Sequence, residues 1–503
     1  MTAKLDKVPF EDALNMTGFS KFNLYLLILS GGIITGMVFE IFSVAYLVPA
    51  SACELSTTSA QQGMMAGMPL VGIIAFSHIW GYLADTRGRK KILVYSMMLG
   101  FFTGALATLS PNWIVYCILK LLSSSAVSGS YALSMAFLGE STPAARRNMM
   151  IILTSTVYMS CQGIMAAITI PVLPLTFSYY IPFLDIHFNS WRLLNLIFSI
   201  PCIISSFGLM FAYESPKYLL SSGDHDGAMD ILRKMFMINT GKSGDLYLVN
   251  SVVLDEDNGM KEIKGFWSSV VAQTVPLMKP PLLWNTFIIS LIFVIVYICF
   301  NPYMVWLPFI ADGVIRALQD GTEGLTFCEM IRYSQNATIS GQVENKCGLN
   351  DVAMSMVFSI GIFMAVLNSI MGAMVNYLGR KNLLIAIQVV SGVAGLCVNA
   401  TTSWILSAIL FIIYVSGVIN FGFLSTFSVD VFPTYVKAMA VCLTLMVGRA
   451  SAVLGINLLK DLLDTNCEAS FYIFGGITIL GGVIAFLLPS DRAIIKQKKC
   501  PET

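Results

Sequence analysis

An all-α membrane protein, with twelve transmembrane helices in two six-helix halves, is what this sequence predicts. Three observations carry that prediction. The 503 residues are 56% hydrophobic and only 12% charged, whereas a soluble domain carries about 25% charged residues. Twelve apolar runs are long enough to cross a bilayer as helices, each needing about 20 residues. Landmarks in the first half of the chain also return in the second at almost one offset.

The runs lie near 22–49, 59–84, 91–110, 113–139, 148–171 and 191–212, then 283–311, 351–377, 382–400, 404–428, 437–459 and 468–489. This divides the chain into an N-terminal half (1–212), a polar linker (213–282) and a C-terminal half (283–503) with a long outer loop at 312–350. Basic residues choose the side, because cytoplasmic loops carry the excess of Lys and Arg. Arg87, Arg89, Lys90 and Lys91 follow the second run, Arg146 and Arg147 the fourth, and Arg380 and Lys381 the eighth. Loops 50–58 and 401–403, on the other side, carry neither. Both termini and the linker are therefore expected in the cytoplasm. The first run begins behind a polar stretch and is too long for a cleavable signal peptide.

The repeat is specific. G-x-x-x-(D/N)-x-x-G-R-K runs from Gly81 to Lys90 and again from Gly372 to Lys381, 291 residues on. Trp113 is matched by Trp404 at the same offset, and the Glu140 to Pro143 segment by Asp430 to Pro433, 290 on. Parallel halves about an axis along the membrane normal are a transporter plan, with the solute held near the midplane between them. Gly81 and Gly88 are expected to permit a tight turn and close backbone approach between the second and third spans. Asp85 carries a charge where its counterpart Asn376 carries none, which makes the two copies unequal.

Charges inside spans are the next signal. Glu40, Lys120 and Arg449 fall within spans one, four and eleven. Each costs roughly 2.5–3.5 kcal/mol at the centre of a lone helix, so such residues face a polar cavity or each other. Glu40 and Lys120 are either a pair that holds helices together or a site for solute or coupling ion. Arg449 has no acidic partner within its span and is assigned to substrate. Tyr297, Asn301, Tyr303 and Trp306 give span seven an aromatic, amide-bearing face, with a break expected near Pro302. That face suits an amphipathic solute; the alternative is an ordinary aromatic packing surface with an interfacial Trp belt. Asn420 in span ten is a further candidate.

Other residue types narrow the function classes. A net charge of +1 gives no reason to expect a nucleic-acid partner. The three histidines lie apart and the eleven cysteines contain no C-x-x-C, so neither an enzyme nor a cofactor or metal is expected. The outer loop carries the sequon at Asn336 and two cysteines, Cys328 and Cys347. That side is oxidising in a secretory or surface setting, so a Cys328–Cys347 bridge and a glycan on Asn336 are expected. The sequons at Asn15 and Asn399 lie in the cytoplasm and against the membrane. In the linker, Asp226 is expected to cap a short helix burying Ala228, Met229, Ile231, Leu232 and Met235.

The repeated loop and the six-plus-six layout resemble the major facilitator superfamily. The lead-in from Gly18 to Phe22 and the span from Glu40 to Pro49 resemble the synaptic vesicle glycoprotein 2 and related-protein branch, close to the organic cation and anion transporters. Glu214 to Leu220 resembles a motif shared with sugar porters, with Tyr213 in place of the first proline. Met37 stands where the branch usually has an aspartate. Lys120 replaces an arginine, with Ser124, Ala126 and Ser128 where the motif has glycines; the charge survives but the planar fork is lost.

The resemblance implies a cavity lined by spans one, four, seven and ten, and an arginine at the place of Arg449 in related organic-anion carriers. It implies a gate on the basic face, with Asp85 against the positive end of span eleven, a contact that contributes about 0.3–1 kcal/mol. Arg89, Glu140, Arg146 and Glu214 belong to that gate, with Asn376, Arg380 and Asp430 as counterparts. The expected function is a secondary transporter moving a small organic ion, an anion by preference, through alternating access. The alternative is a transporter-shaped protein with a trafficking, receptor or regulatory role. Either would act as a monomer in a plasma membrane or an intracellular vesicle.

Overall fold

The computed structural model describes residues 5–253, 274–280, 282–321, 324–339, 349–432 and 437–489. Among them twelve helices are long and apolar enough to cross a membrane. Spans 1 to 6 are Lys21–Ser51, Ser59–Arg87, Arg89–Ala107, Trp113–Glu140, Ala144–Val172 and Ser190–Phe211. Spans 7 to 12 are Leu282–Gln319, Asp351–Val375, Arg380–Cys397, Trp404–Ser428, Met439–Thr465 and Cys467–Ala485. The boundaries follow the apolar runs closely. The exception is span 7, which continues as helix to Gln319, well into the segment read as loop.

Breaks fall where packing allows them. Span 1 divides into Lys21–Phe42 and Val44–Ser51, and span 4 into Trp113–Val127 and Ser130–Glu140. Span 7, expected to break near Pro302, is one 38-residue helix through both Pro302 and Pro308. A proline removes a helical hydrogen bond and crowds the preceding turn. Here span 11 supports it, for Gly455 leaves room for the Pro302 ring, whose Cγ would lie 2.8 Å from a Cβ at that position. The interruption is instead in span 10, where the turn Ser416–Ile419 separates Trp404–Val415 from Asn420–Val431.

The repeated loop has one geometry in both halves. Gly88 ends span 2 at φ 100°, ψ 144°, and Gly379 ends helix Asp351–Leu378 at φ 79°, ψ 151°. This is backbone that side-chain-bearing residues rarely adopt. Lys90 Nζ then donates to the carbonyl of Met210 at 3.1 Å, and Lys381 Nζ to that of Phe486 at 2.9 Å. Each lysine caps the last span of its own half, where the dipole favours a cation. Gly81 behaves otherwise than expected. It lies inside span 2 with no heavy atom within 4 Å of a Cβ built on it; Gly88 alone makes the turn.

On the basic face, the linker and the N-terminal segment pack together beneath the first half. Helix His225–Thr240 buries the five apolar residues expected, but its cap is Asp224, whose carboxylate accepts from Gly227 N at 2.9 Å, and not Asp226. Asp226 sits one residue inside the helix. Val8–Pro9 pairs in parallel with Val252–Val253. Asn239 accepts from Phe22 N at 3.1 Å and donates to the carbonyl of Gly18 at 3.1 Å. The lead-in to span 1 is thus the seat of the linker helix.

On the opposite face, helix Phe327–Ile339 follows span 7. The expected Cys328–Cys347 bridge is corrected: Cys328 is bonded to Cys467 at the start of span 12, with Cα atoms 5.6 Å apart. Cys347 lies outside the described residues. Proximity in sequence misled here, because the helix carries Cys328 back over span 12. Arg332 pairs with Glu468 at 2.8 Å, and the Asn399 amide accepts from Cys328 N at 3.1 Å. Cys53 is also disulfide-bonded.

Candidate functional site: a central cavity with one guanidinium

Glu40 and Lys120 are brought together, but away from the cavity. Lys120 Nζ lies 3.1 Å from Glu40 Oε2, both side chains are fully buried, and Ser123 Oγ donates to the same oxygen at 2.6 Å. Gly104 of span 3 and Ser199 of span 6 close over them. The pair is therefore enclosed within the N-terminal half.

The cavity lies between the halves and encloses about 1000 Å³, counting the part open to solvent. Tyr297 and Asn301 of span 7 and Arg449 of span 11 line it, as expected. Spans 4 and 5 add Tyr131, Tyr158 and Gln162, which the sequence reading missed. Tyrosines in apolar runs look like packing residues; the intramembrane amide of Gln162 was the legible signal. The Arg449 guanidinium lies beside the Tyr297 hydroxyl, and its charge is felt at His78, Tyr158 and Cys442. Among the described residues no carboxylate pairs with it.

Three expected lining residues are packing residues instead. Tyr303 is fully buried among Phe411, Tyr414, Phe471 and Phe474, and its hydroxyl donates to Ser470 Oγ at 3.1 Å. Trp306 donates to the carbonyl of Ile456 at 3.1 Å, beneath the ammonium of Lys460. Asn420 donates to Gln388 Oε1 at 2.9 Å inside the C-terminal half. Span 7 is a continuous helix, so Tyr303 and Trp306 turn to a different face from Tyr297 and Asn301.

The basic face carries a chain of charges. Arg89 pairs with Asp85 at 2.7 Å and with Glu140 at 3.0 Å, while Ser215 donates to Glu140. Glu214 accepts from Lys90 N at 2.9 Å, which fixes the turn at Gly88. Arg146 stacks over Phe19, and Arg147 pairs with Glu11 at 2.9 Å. Arg380 occupies the same place in the second copy. Asn376 and Asp430 lie on described helices, but their side chains are outside the described residues.

The halves pack most tightly toward one end, and the contact between spans 5 and 8 continues to hydrogen-bond distance between the Thr156 and Ser369 hydroxyls, 2.9 Å apart. Gly361 of span 8 sits on Gly163 of span 5 so closely that a Cβ would lie 2.6 Å from the Gly163 Cα. A Cβ on Gly63 of span 2 would lie 2.6 Å from the Asn457 side chain of span 11. Both contacts are toward the face opposite the basic loops. There, too, Glu54 binds Arg192 at 2.8 Å. Burial pushes the Glu54 carboxyl up, but hydrogen bonds from Trp191, Arg192 and Asn189 outweigh it and hold the group below the ordinary carboxylate range. Toward the basic face the halves stand apart: Gly81 and Gly372 meet nothing within 4 Å, and the Asp85 side chain is 70% exposed.

Two six-helix halves closed at one end around a midplane cavity define a major facilitator transporter. Residues 22–305 match the family described as Sugar (and other) transporter, and the chain belongs to that family. It is 23% identical to the putative transporter SVOPL of Homo sapiens over 496 residues, covering 96% of this chain and 91% of that one. It is 22% identical to synaptic vesicle glycoprotein 2B of Homo sapiens over 330 residues, which is 62% of this chain and 48% of that one. The chain thus spans about half the length of the latter. The fold is similar to a partially occluded inward-open conformation of the xylose transporter XylE from E. coli, with TM-score 0.66 and 15% identity, covering 94% and 99% of the two chains.

Proposed function

We propose that this transporter moves an organic anion by alternating access, with Arg449 holding the anionic group. One observation carries the reading: a guanidinium lines the central cavity and has no carboxylate partner among the described residues. A charge at membrane depth is expensive unless compensated, and a carboxylate or sulfate fits the guanidinium fork with two hydrogen bonds. The basic face is cytoplasmic, as its loops of Lys and Arg favour, so the cavity here opens inward. In the outward-open state Asp85 approaches the start of span 11 and closes the inner end. The membrane is that of the cell surface or of an intracellular vesicle.

The test is uptake of labelled organic anions into proteoliposomes. Charge-assisted hydrogen bonds contribute about 1.5–3 kcal/mol. Arg449→Lys keeps the charge and loses the fork, so apparent KM should rise about ten- to hundred-fold while folded yield holds. Undiminished anion uptake by Arg449→Ala would refute the reading.

A further inference from the structure

Resting on the anion reading, we infer that the cavity selects amphipathic monoanions: a flat, apolar body carrying a single acidic group. Arg449 is the one charged side chain among the described residues that line the cavity. Glu40 and Lys120, the other charges of the neighbouring spans, neutralise each other behind span 1 and offer nothing to a solute. The wall therefore carries one positive charge.

That count decides the class. A monoanion cancels the guanidinium and leaves the closed cavity neutral. A dianion leaves one negative charge without a partner in a poorly polar enclosure, where uncompensated charge is costly. A cation meets repulsion from Arg449, and the ammonium of a zwitterion finds no carboxylate. A neutral solute leaves the guanidinium unpaired when the halves close over it.

The remainder of the wall describes the body of the solute. Tyr131 and Tyr158 meet edge to face at 5.7 Å, and Tyr297 and Phe421 at 5.6 Å. Ring edges and faces set this way favour a flat aromatic guest. Met159 and Met304 also line the cavity, and thioethers adapt to irregular apolar shapes. Polar anchors are few, so a hydroxyl-rich neutral solute would bury most of its hydroxyls unpaired.

A shape-matched series separates these outcomes in proteoliposomes holding the full chain. Radiolabelled 2-naphthoate is the probe. The competitors are naphthalene-2,6-dicarboxylate, its monomethyl ester, and protonated 2-naphthylmethylamine. The ester controls for the size of the second carboxyl. Naphthoate should be taken up in an Arg449-dependent way, and the monomethyl ester should compete for it. The dicarboxylate should compete at least about ten-fold more weakly than the ester, corresponding to about 1.4 kcal/mol. The amine should not compete. If dicarboxylate and ester compete equally and uptake still requires Arg449, the monoanion inference is wrong and the anion reading stands. Preference for the amine, or uptake of naphthoate that ignores Arg449, overturns both. If naphthoate does not enter but the dicarboxylate, radiolabelled in its place, does so in an Arg449-dependent way, the monoanion inference is overturned and the anion reading stands.

Discussion

Glu40 and Lys120 are 80 positions apart in sequence and their charges 3.1 Å apart in space. The geometry favours the structural reading of the two that the sequence left open. One carboxylate oxygen takes Lys120 and Ser123, the other has no hydrogen-bond partner, and a side chain at Gly104 would run into it. Removing one member of a buried pair leaves an uncompensated charge and costs about 3–5 kcal/mol, whereas replacing both with neutral groups of similar volume is often neutral or stabilising. Glu40→Gln and Lys120→Met should each lower the thermal midpoint and folded yield of the purified protein, and the double variant should recover both. Unchanged melting of Glu40→Gln with loss of uptake would instead assign the carboxylate to transport.

At the scale of elements, each half uses its G-R-K turn to fasten its own bundle, through a glycine with positive φ and a lysine on the last span. On the other face the C-terminal half gains a helix the N-terminal half lacks. Phe327–Ile339 is held by the Cys328–Cys467 bridge and the Arg332–Glu468 pair. The sequon at Asn336 lies on this helix. Asn399 is occupied by its hydrogen bond with Cys328, and Asn15 lies on helix Phe10–Met16 near the basic loops. Asn336→Gln should abolish the glycan and raise gel mobility, while Asn15→Gln leaves mobility unchanged. A shift from Asn15 alone would invert the orientation proposed above.

At the scale of the molecule, two packed halves meet through glycines at one end and diverge at the other. Gly163 and Gly361 bring backbone onto backbone where spans 5 and 8 cross. Small residues allow such approach between membrane helices, and a larger side chain wedges them apart. Gly361→Leu should therefore disfavour this state, in which the end opposite the basic loops is closed. Spin labels on the ends of spans 5 and 8 opposite the basic loops should report a longer mean separation than in the parent protein, and steady uptake should fall at least about ten-fold, corresponding to a shift of about 1.4 kcal/mol between the states. An unaltered distance distribution would show that this contact does not govern closure.

Twelve spans, two halves and a basic face were legible in the sequence because each rests on composition. A bilayer demands about 20 apolar residues per helix, and positive charge marks one side. Arg449 was legible as well, since an arginine without an acidic neighbour stands out in an apolar run. What the sequence could not say is which way a side chain turns. Tyr297 and Tyr303 look alike in sequence, yet one lines the cavity and the other anchors an aromatic cluster. Glu40 and Lys120 were visible as charges, but their withdrawal from the cavity depends on how spans 1, 3, 4 and 6 pack. The same holds for Cys328, whose partner is 139 residues away. Apolarity along a chain specifies that a helix crosses the membrane; its rotation and its neighbours are decided by contacts between helices, which only the tertiary structure contains.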